Sequence, residues 1–241
     1  MKILVLGSTG QLGQSLAGQI DTAVYDVIYG SREDFDITDL PFTRQKITSL
    51  KPDVIINAAA YTFVDKAEQQ QDLAELVNNI AVDNIAKICR DIDCGLVHVS
   101  TDYVFDGRSD RPYHEQDPTN PQSIYGESKL RGERAIESSG CSYLIIRTAW
   151  VFSAFGDNFL KTMLRLAKQR SELSIINDQI GCPTYAPDLA VAILKTLPSF
   201  RAFKPKEVYH YAGYPECSWA DFAKNIFHEA ELLGKLEVSP I

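Results

Sequence analysis

Short apolar runs alternate with amphipathic stretches through the first 150 residues. The apolar runs are rich in Val, Ile and Leu, and they predict β-strands at residues 3–6, 24–29, 54–56, 96–99 and 143–146. Between the strands, apolar side chains recur at helical spacing, most regularly over residues 72–91. Strands separated by helices need crossover connections and so pair in parallel, with both faces of the sheet covered. The pattern predicts an α/β fold with a doubly wound parallel sheet.

The alternation becomes less regular after residue 150. We predict helices at residues 158–168, 187–196 and 219–233 and a short strand at residues 173–176. Five prolines punctuate this part of the chain, namely Pro183, Pro187, Pro198, Pro205 and Pro215. We therefore expect two units, a sheet domain over residues 1–150 and a smaller, loop-rich lobe over residues 151–241.

Composition narrows the class of partner. The formal net charge is −8, which disfavours nucleic acid as a partner because binding to phosphates depends on Lys and Arg. We expect no membrane partner, since apolar runs stay well below the roughly 20 residues that span a bilayer. The five cysteines form no C-x-x-C pair, so we expect reduced thiols, no metal site and a cytoplasmic location.

A glycine-rich segment, Gly7-Ser8-Thr9-Gly10-Gln11-Leu12-Gly13, follows the first predicted strand and opens a helix. Glycines allow the backbone to turn sharply and approach a pyrophosphate, which then meets free N–H groups and the positive end of the helix dipole. An ordinary glycine-rich turn is the alternative, but the position between strand and helix favours phosphate binding. The segment predicts a Rossmann-type dinucleotide-binding domain over residues 1–150, with contacts from Gly7, Gly10, Gln11, Leu12 and Gly13.

The second predicted strand is followed by Gly30-Ser31-Arg32. A domain that prefers NAD commonly has Asp or Glu there to bind the ribose 2′-hydroxyl. Ser31 and Arg32 suit a 2′-phosphate better, because a guanidinium can grip phosphate with two charge-assisted bonds. We therefore predict NADPH as the cofactor, with NADH left open, because Arg32 can also be a solvated loop charge.

Tyr125 and Lys129 are four residues apart at the start of a predicted helix, so their side chains share one face. Thr101 ends a neighbouring strand, at the sheet edge where ligands of open α/β sheets bind. A phenol with a pKa near 10 needs a nearby positive charge to exchange protons at neutral pH, which Lys129 can supply. Thr101 can orient a substrate carbonyl. Packing, surface and capping roles for the three residues are the alternative.

Six motifs accompany the glycine-rich segment along the chain, namely Pro52 to Thr62, Val64-Asp65-Lys66-Ala67-Glu68, Ser100-Thr101-Asp102-Tyr103-Val104-Phe105-Asp106-Gly107, Tyr125-Gly126-Glu127-Ser128-Lys129, Arg147 to Val151 and Asn177 to Thr184. With these motifs the sequence resembles the extended short-chain dehydrogenase/reductases that act on sugar nucleotides, over essentially the whole chain.

The resemblance implies roles for single residues. Tyr125 is the implied proton donor, Lys129 its partner and the ligand of the nicotinamide ribose, and Thr101 the third catalytic residue. Further cofactor contacts are implied for Gly10, Gln11, Leu12, Asp36, Ile37, Ala60, Tyr61 and Thr62. Sugar contacts are implied for Thr101, Asp102, Tyr103 and Trp150. For Asp36 a capping role, and for Trp150 simple packing, are the alternatives.

The implied reaction is reduction of the 4-keto group of dTDP-4-dehydro-L-rhamnose to dTDP-L-rhamnose, so a nucleotide sugar is the expected substrate. Some relatives hold a divalent metal between subunits with a carboxylate at the position of Ser15, which a serine cannot replace. We therefore carry over no metal, and we leave monomer and homodimer open.

Two other functions stay open. A 4,6-dehydratase or epimerase shares this scaffold, although a dehydratase typically has Glu where Tyr103 stands. A non-catalytic NADP-binding regulatory subunit would have the same fold, although the full set of Thr101, Tyr125 and Lys129 favours an enzyme.

The chain stops at Val238-Ser239-Pro240-Ile241, before the position of an Arg-Pro segment that the resemblance assigns to the nucleotide diphosphate. We therefore expect this chain to bind NADPH but to turn over the keto-sugar poorly.

Overall fold

The computed structural model describes residues 1–235. The expectation of poor turnover, which was based on the chain end at residues 238–241, therefore concerns residues outside the described range. The strands are β1 (Lys2–Leu6), β2 (Asp26–Gly30), β3 (Val54–Asn57), β4 (Gly95–Thr101), β5 (Ser142–Thr148), β6 (Val151–Phe152), β7 (Ile180–Gly181), β8 (Thr184–Tyr185), β9 (Lys206–His210) and β10 (Cys217–Ser218). The helices are α1 (Gln11–Gln19), α2 (Leu40–Leu50), α3 (Val64–Ala67), α4 (Gln71–Glu75), α5 (Ala81–Ile92), α6 (Ile124–Ser139), α7 (Phe159–Ala167), α8 (Ala186–Ala202) and α9 (Trp219–Leu232).

Six strands pair in parallel in the order β2-β1-β3-β4-β5-β9. The four residues of β3 and six of the seven in β5 are buried, which explains their near-continuous apolar sequences. One face packs on α2, α5 and α6 through Ile47, Ile85 and Ile136. The other packs on α1 and α8 through Leu16 and Ile193. The predicted doubly wound α/β fold is confirmed.

A third apolar cluster joins α7 to α9 through Met163, Phe222 and Phe227. This part contains two short strand pairs, β6 with β8 and β7 with β10. The region after residue 150 therefore contributes to two parts of the fold. α8 and β9 complete the layers of the main sheet, whereas α7 and α9 pack on each other. The division of binding roles at residue 150 stays a prediction.

The structure differs from the predicted elements in several places. The strand predicted at residues 173–176 is absent from the described chain, where Leu173 and Ile175 pack on the third cluster from an irregular segment. The Ile176 carbonyl there accepts from the Ala220 N–H at 3.1 Å, so the segment is bound to the start of α9. The helix predicted at residues 187–196 is longer, and β9 was not predicted.

The helix predicted over residues 72–91 is present but is interrupted by a π-helical turn at Leu76–Ile80 between α4 and α5. Such a turn adds one residue to the helical repeat and is frequent at functional sites. Within residues 1–235, we find no helix that is long and apolar enough to cross a membrane.

Candidate active site

The loop between β1 and α1 turns at Gly7, whose φ is +75°. A Cβ at this position would lie 2.6 Å from the Ala59 nitrogen, so only glycine fits. The N–H groups of Gly7 and Ser8 donate to the Gly30 carbonyl at 3.1 Å each, which ties the loop to the end of β2. Among the described residues, no side chain caps the first turn of α1. The helix therefore begins with backbone N–H groups available to an anion.

A cavity of about 360 Å³ opens beside this loop. Its walls come from the ends of β1 and β3, the segment after β2 and the region from α3 to the π-helical turn. The predicted cofactor residues in its lining are Gly7, Gly10, Arg32, Asp36, Ile37, Ala60, Tyr61 and Thr62. The loop, the uncapped helix and the cavity fit the phosphates and one half of a dinucleotide.

Other predicted cofactor side chains are engaged elsewhere. The Gln11 Oε1 accepts from Ser153 at 3.0 Å and from Asn158 at 2.8 Å, which ties the glycine loop to the segment before α7. Leu12 is buried in the core, and Ser31 donates its hydroxyl to Asp34 at 2.7 Å. Gly13 lies in α1 against the Gly7 backbone. Cofactor contacts from these residues would therefore come from their backbones.

Two cations, Arg32 and Lys66, line the cavity together with the carboxylate of Asp36. The Asp36 carboxylate accepts from the Thr38 N–H at 2.9 Å and from its hydroxyl at 2.6 Å. These bonds, with a smaller effect of the Arg32 charge, lower the pKa of Asp36. Asp36 thus fixes the turn before α2, while the helix cap itself is Asp39. The sequence motif that contains Lys66 was identified, but no role was predicted for its ammonium.

Asn78, in the π-helical turn, holds the cavity wall in place. Its Oδ1 accepts from the Tyr61 N–H at 2.9 Å, and its Nδ2 donates to the Tyr61 carbonyl and to the Ser128 hydroxyl, each at 3.0 Å. All three bonds are buried, and Ser128 lies on α6. Asn78 therefore joins the cofactor wall to the helix of Tyr125 and Lys129. Sequence reasoning missed it, because a π-helical turn leaves no pattern of its own.

The predicted catalytic residues come together where β4 ends and α6 begins. The Ser123 hydroxyl accepts from the Gly126 N–H at 3.1 Å and caps α6. A Cβ on Gly126 would lie 2.2 Å from the Tyr103 carbonyl, so this glycine allows the helix to approach the end of β4. Burial raises the pKa of Tyr125 to about 12, and a hydrogen bond with Thr101 opposes that shift. Tyr125 also packs against the apolar cluster of Tyr61 in the cavity wall.

Lys129 is 1 % exposed and points its ammonium back toward β4. Its Nζ donates to the Val99 carbonyl at 2.7 Å and lies 3.1 Å from Nε2 of His98. Burial lowers the pKa of Lys129 to about 8, against the opposing charge of Glu133. The sequence-based expectation was that Lys129 would lower the pKa of Tyr125, whereas in this structure burial of Tyr125 outweighs other influences.

A buried ion pair supports the site from behind. The Arg147 guanidinium donates to Glu133 through Nη2 at 2.7 Å and through Nε at 3.1 and 3.2 Å. Ser100 also donates to Glu133, and the Arg147 guanidinium lies 5.1 Å from the Phe105 ring centre. Glu133 and Arg147 are 1 % and 7 % exposed. The pair fastens α6 to β4 and β5, which fixes the position of Lys129.

The predicted sugar-binding residues fall in two places. Asp102 and Tyr103 form a 3-10 turn directly after Thr101, and the Tyr103 ring lies edge-on to Tyr125 at 5.6 Å. Burial raises the pKa of Asp102 to about 6. Trp150 has a left-handed φ of +47° and stacks on Trp219 at 3.5 Å, within the third cluster. Packing therefore accounts for one face of Trp150, whatever its other role.

Within residues 1–235, we find no group of three or more His, Cys, Asp or Glu side chains that could hold a metal ion. Ser15, at the position where some relatives have a carboxylate, is buried and donates its hydroxyl to the Gln11 carbonyl at 2.8 Å.

Comparisons with a family model, with curated proteins and with solved structures all point to the same family. The family model described as the RmlD substrate binding domain matches residues 1–241. The chain is 41 % identical over 231 residues to the spore coat polysaccharide biosynthesis protein SpsK of Bacillus subtilis, covering 96 % of this chain and 80 % of that protein. It is 42 % identical over 243 residues to the dTDP-4-dehydrorhamnose reductase of Aggregatibacter actinomycetemcomitans, covering 100 % of this chain and 83 % of that one.

Among solved structures, the dTDP-4-dehydrorhamnose reductase of Bacillus anthracis in complex with NADP has a TM-score of 0.91 and 39 % identity, covering 95 % of this chain and 81 % of that chain. A UDP-glucose 4-epimerase of Thermus thermophilus, at 19 % identity and a TM-score of 0.81, shares the fold. The resemblance predicted from the motifs is confirmed.

Proposed function

The chain belongs to the RmlD substrate binding domain family, and from this we propose that it is an NADPH-dependent reductase that converts the 4-keto group of dTDP-4-dehydro-L-rhamnose to a hydroxyl. The product is dTDP-L-rhamnose, a nucleotide sugar. Curated relatives that share about four residues in ten with this chain are named for this reaction.

The observation that carries the proposal is the meeting of Thr101, Tyr125 and Lys129 beside the cofactor cavity. Thr101 ends a central strand of the parallel sheet, and Tyr125 and Lys129 follow on the helix that packs against it. Tyr125 in turn packs on the cluster of Tyr61, which lines the cavity. A proton donor, a cation and an orienting hydroxyl thus adjoin the place where a nicotinamide would lie.

The residues that would hold NADPH are those of the glycine loop and the cavity wall. The first turn of α1 would meet the pyrophosphate, and Arg32 and Lys66 would face the 2′-phosphate. When bound, NADPH supplies the hydride that reduces the keto carbon. A solved relative that contains NADP supports this cofactor.

The protein's own residues then handle the oxygen of the substrate. The Thr101 hydroxyl accepts from the Tyr103 N–H at 3.2 Å and donates to Asp102 at 3.1 Å. With substrate bound, its one proton would turn from Asp102 to the 4-oxygen. Tyr125 donates its phenolic proton to that oxygen as negative charge develops there. The ammonium of Lys129 stabilises the resulting phenolate. Asp102 and Tyr103, directly after Thr101, would contact the sugar, and so would Trp150.

The experiment is NADPH oxidation, followed by loss of its absorbance, with dTDP-4-dehydro-L-rhamnose as substrate. We expect slow but measurable turnover by the wild-type chain and a further loss of kcat of roughly 100-fold or more in Tyr125→Phe, with NADPH binding retained. The matched control is Tyr143→Phe, which alters a buried tyrosine of the sheet core and should keep turnover. A Tyr125→Phe enzyme as fast as that control would remove Tyr125 from the mechanism.

A further inference from the structure

A line of buried polar groups runs behind Lys129 through the two central strands. Asn57 on β3 and His98 on β4 are direct neighbours in the sheet, and they are 1 % and 0 % exposed. The Asn57 Nδ2 lies 3.1 Å from Nδ1 of His98, and Nε2 of His98 lies 3.1 Å from Nζ of Lys129. Neither side chain has a part in the mechanism above. Buried polar groups in central strands need hydrogen-bond partners, and Asn57, His98 and Lys129 are partners for one another.

The direction of the hydrogen bonds can be worked out from the donors. The Oδ1 of Asn57 accepts from the Ala59 N–H at 3.2 Å, which turns the amide nitrogen toward His98. An amide nitrogen can only donate, so Nδ1 of His98 must be the bare acceptor. Burial lowers the pKa of His98 well below its usual value, so the ring is neutral. A neutral ring with a bare Nδ1 has its proton on Nε2.

The Nε2 proton then points at Nζ of Lys129. It can be accepted only by an amine that has a free lone pair, which is an uncharged lysine. That amine still donates to the Val99 carbonyl at 2.7 Å. The result is a chain in which each group donates to the next, in the order Ala59, Asn57, His98, Lys129 and Val99. A protonated Lys129 would set two N–H groups against each other at one of these contacts.

We propose that Asn57 and His98 are positioning residues that control the protonation of Lys129, because Asn57 selects the Nε2–H form of His98 and that form stabilises the uncharged amine. This inference rests on the proposed function, in which the ammonium of Lys129 assists Tyr125. Its consequence is that Lys129 loses its proton at a lower pH than burial alone would set, and turnover declines with it.

The other groups around Lys129 do not explain this selection. Glu133, one turn further along α6, favours the ammonium, but its charge is already paired with Arg147 on β5. Tyr125, on the same helix, is neutral below its raised pKa. The donor chain through β3 and β4 therefore adds to the effect of burial, and it can be altered without touching a residue that contacts the substrate.

The first test needs neither cofactor nor substrate. Nitrogen-15 NMR of the histidine rings reports which ring nitrogen carries the proton, and the chain has four histidines. The His98 signals are the ones lost in His98→Gln. We expect Nε2 protonated and Nδ1 bare in the wild-type protein. A proton on Nδ1 would overturn the inference, since the chain of donors would then run the other way.

The second test changes one atom of Asn57. Asn57→Asp keeps the acceptor for the Ala59 N–H but replaces the donor that faces His98 with a second acceptor. His98 should then carry its proton on Nδ1, and its bare Nε2 should accept from the ammonium. We expect the high-pH decline of kcat to move upward by at least about one pH unit. The matched control is Asn84→Asp on α5, whose Nδ2 donates to the Leu40 carbonyl, and its decline should stay where the wild type has it.

The outcomes distinguish failure of this inference from failure of the proposed function. A decline of kcat in Asn57→Asp at the same pH as in the control would overturn the role of Asn57 and His98, while turnover itself would still support the proposed function. A wild-type chain without turnover would contradict the proposed function, and the NMR result would still decide the direction of the donor chain. The same NMR measurement decides it if Asn57→Asp fails to fold.

Discussion

Removing the Asn78 side chain should weaken the fold and the cofactor site together. Asn78→Ala takes away the partners of the Tyr61 N–H and carbonyl, which its amide binds at 2.9 and 3.0 Å, and a third bond to Ser128. Because Asn78 is 1 % exposed, water cannot replace it without rearrangement. Two buried backbone groups are then left unsatisfied at about 1–3 kcal/mol each, so we expect the free energy of unfolding to fall by about 2–6 kcal/mol.

The neighbouring residue provides the control. Asn79 lies in the same π-helical turn, but its Nδ2 donates to Glu75 at 2.7 Å in a partly buried, one-turn contact. Asn79→Ala should therefore cost no more than about 0.5 kcal/mol. Equilibrium unfolding in urea measures both variants, and titration with NADPH should show weaker binding only in Asn78→Ala, because Tyr61 lines the cavity. Equal stabilities of the two variants would refute the assignment of Asn78 as the link between cofactor wall and α6.

Three further changes test the site and its support. Arg32→Ala should weaken NADPH more than NADH by on the order of 1.5–3 kcal/mol, because a charge-assisted bond to the 2′-phosphate is lost; equal losses in the two titrations would contradict the cofactor preference. Burial raises the pKa of Asp102 from 3.8 to about 6, so the folded state holds a proton that the unfolded chain has released, and stability should fall as pH rises through that range. In Asp102→Asn this part of the decline in melting temperature should disappear, and an unchanged slope would argue against the shift. Arg147→Leu should cost about 3–5 kcal/mol in urea unfolding, since it leaves Glu133 buried and uncompensated. Adding Glu133→Gln should recover part of that loss, and a double variant no more stable than the single one would contradict the account.

The inner strands β1, β3, β4 and β5 could be predicted because the sheet is covered on both faces, so each contains a short apolar run. The edge strand β9 could not, because its sequence, Lys206-Glu207-Val208-Tyr209-His210, is mostly polar, whereas the other edge strand, β2, keeps the apolar pair Val27 and Ile28. The strand predicted at residues 173–176 was wrong for a related reason. Its alternating apolar residues pack on a helix cluster, and alternation alone does not tell which surface is covered.

At the site, the glycine loop and the spacing of Tyr125 and Lys129 were visible in the sequence because they are local patterns. No role was predicted for Asn57, His98 or Arg147, although His98 lies in the strand predicted at residues 96–99 and the other two directly follow the strands predicted at residues 54–56 and 143–146. A polar residue in or directly after such a strand is a usable signal, because a buried polar group must find a partner. Which partner it finds depends on the register between strands and on how α6 packs against them, and a local sequence pattern predicts neither.

The position of β9 at the edge of the sheet has a consequence for folding during synthesis. β5 lies between β4 and β9, and its residues up to Thr148 are synthesised long before Lys206–His210 leave the ribosome. During that interval the N–H and C=O groups on one side of β5 have no strand to pair with, in a segment that is almost wholly buried in the folded protein and apolar at its centre. Exposed strands of this kind readily pair with other chains. We therefore expect nascent chains that stall between α8 and β9 to be the aggregation-prone species, and chaperones that bind apolar segments to act in that window of synthesis.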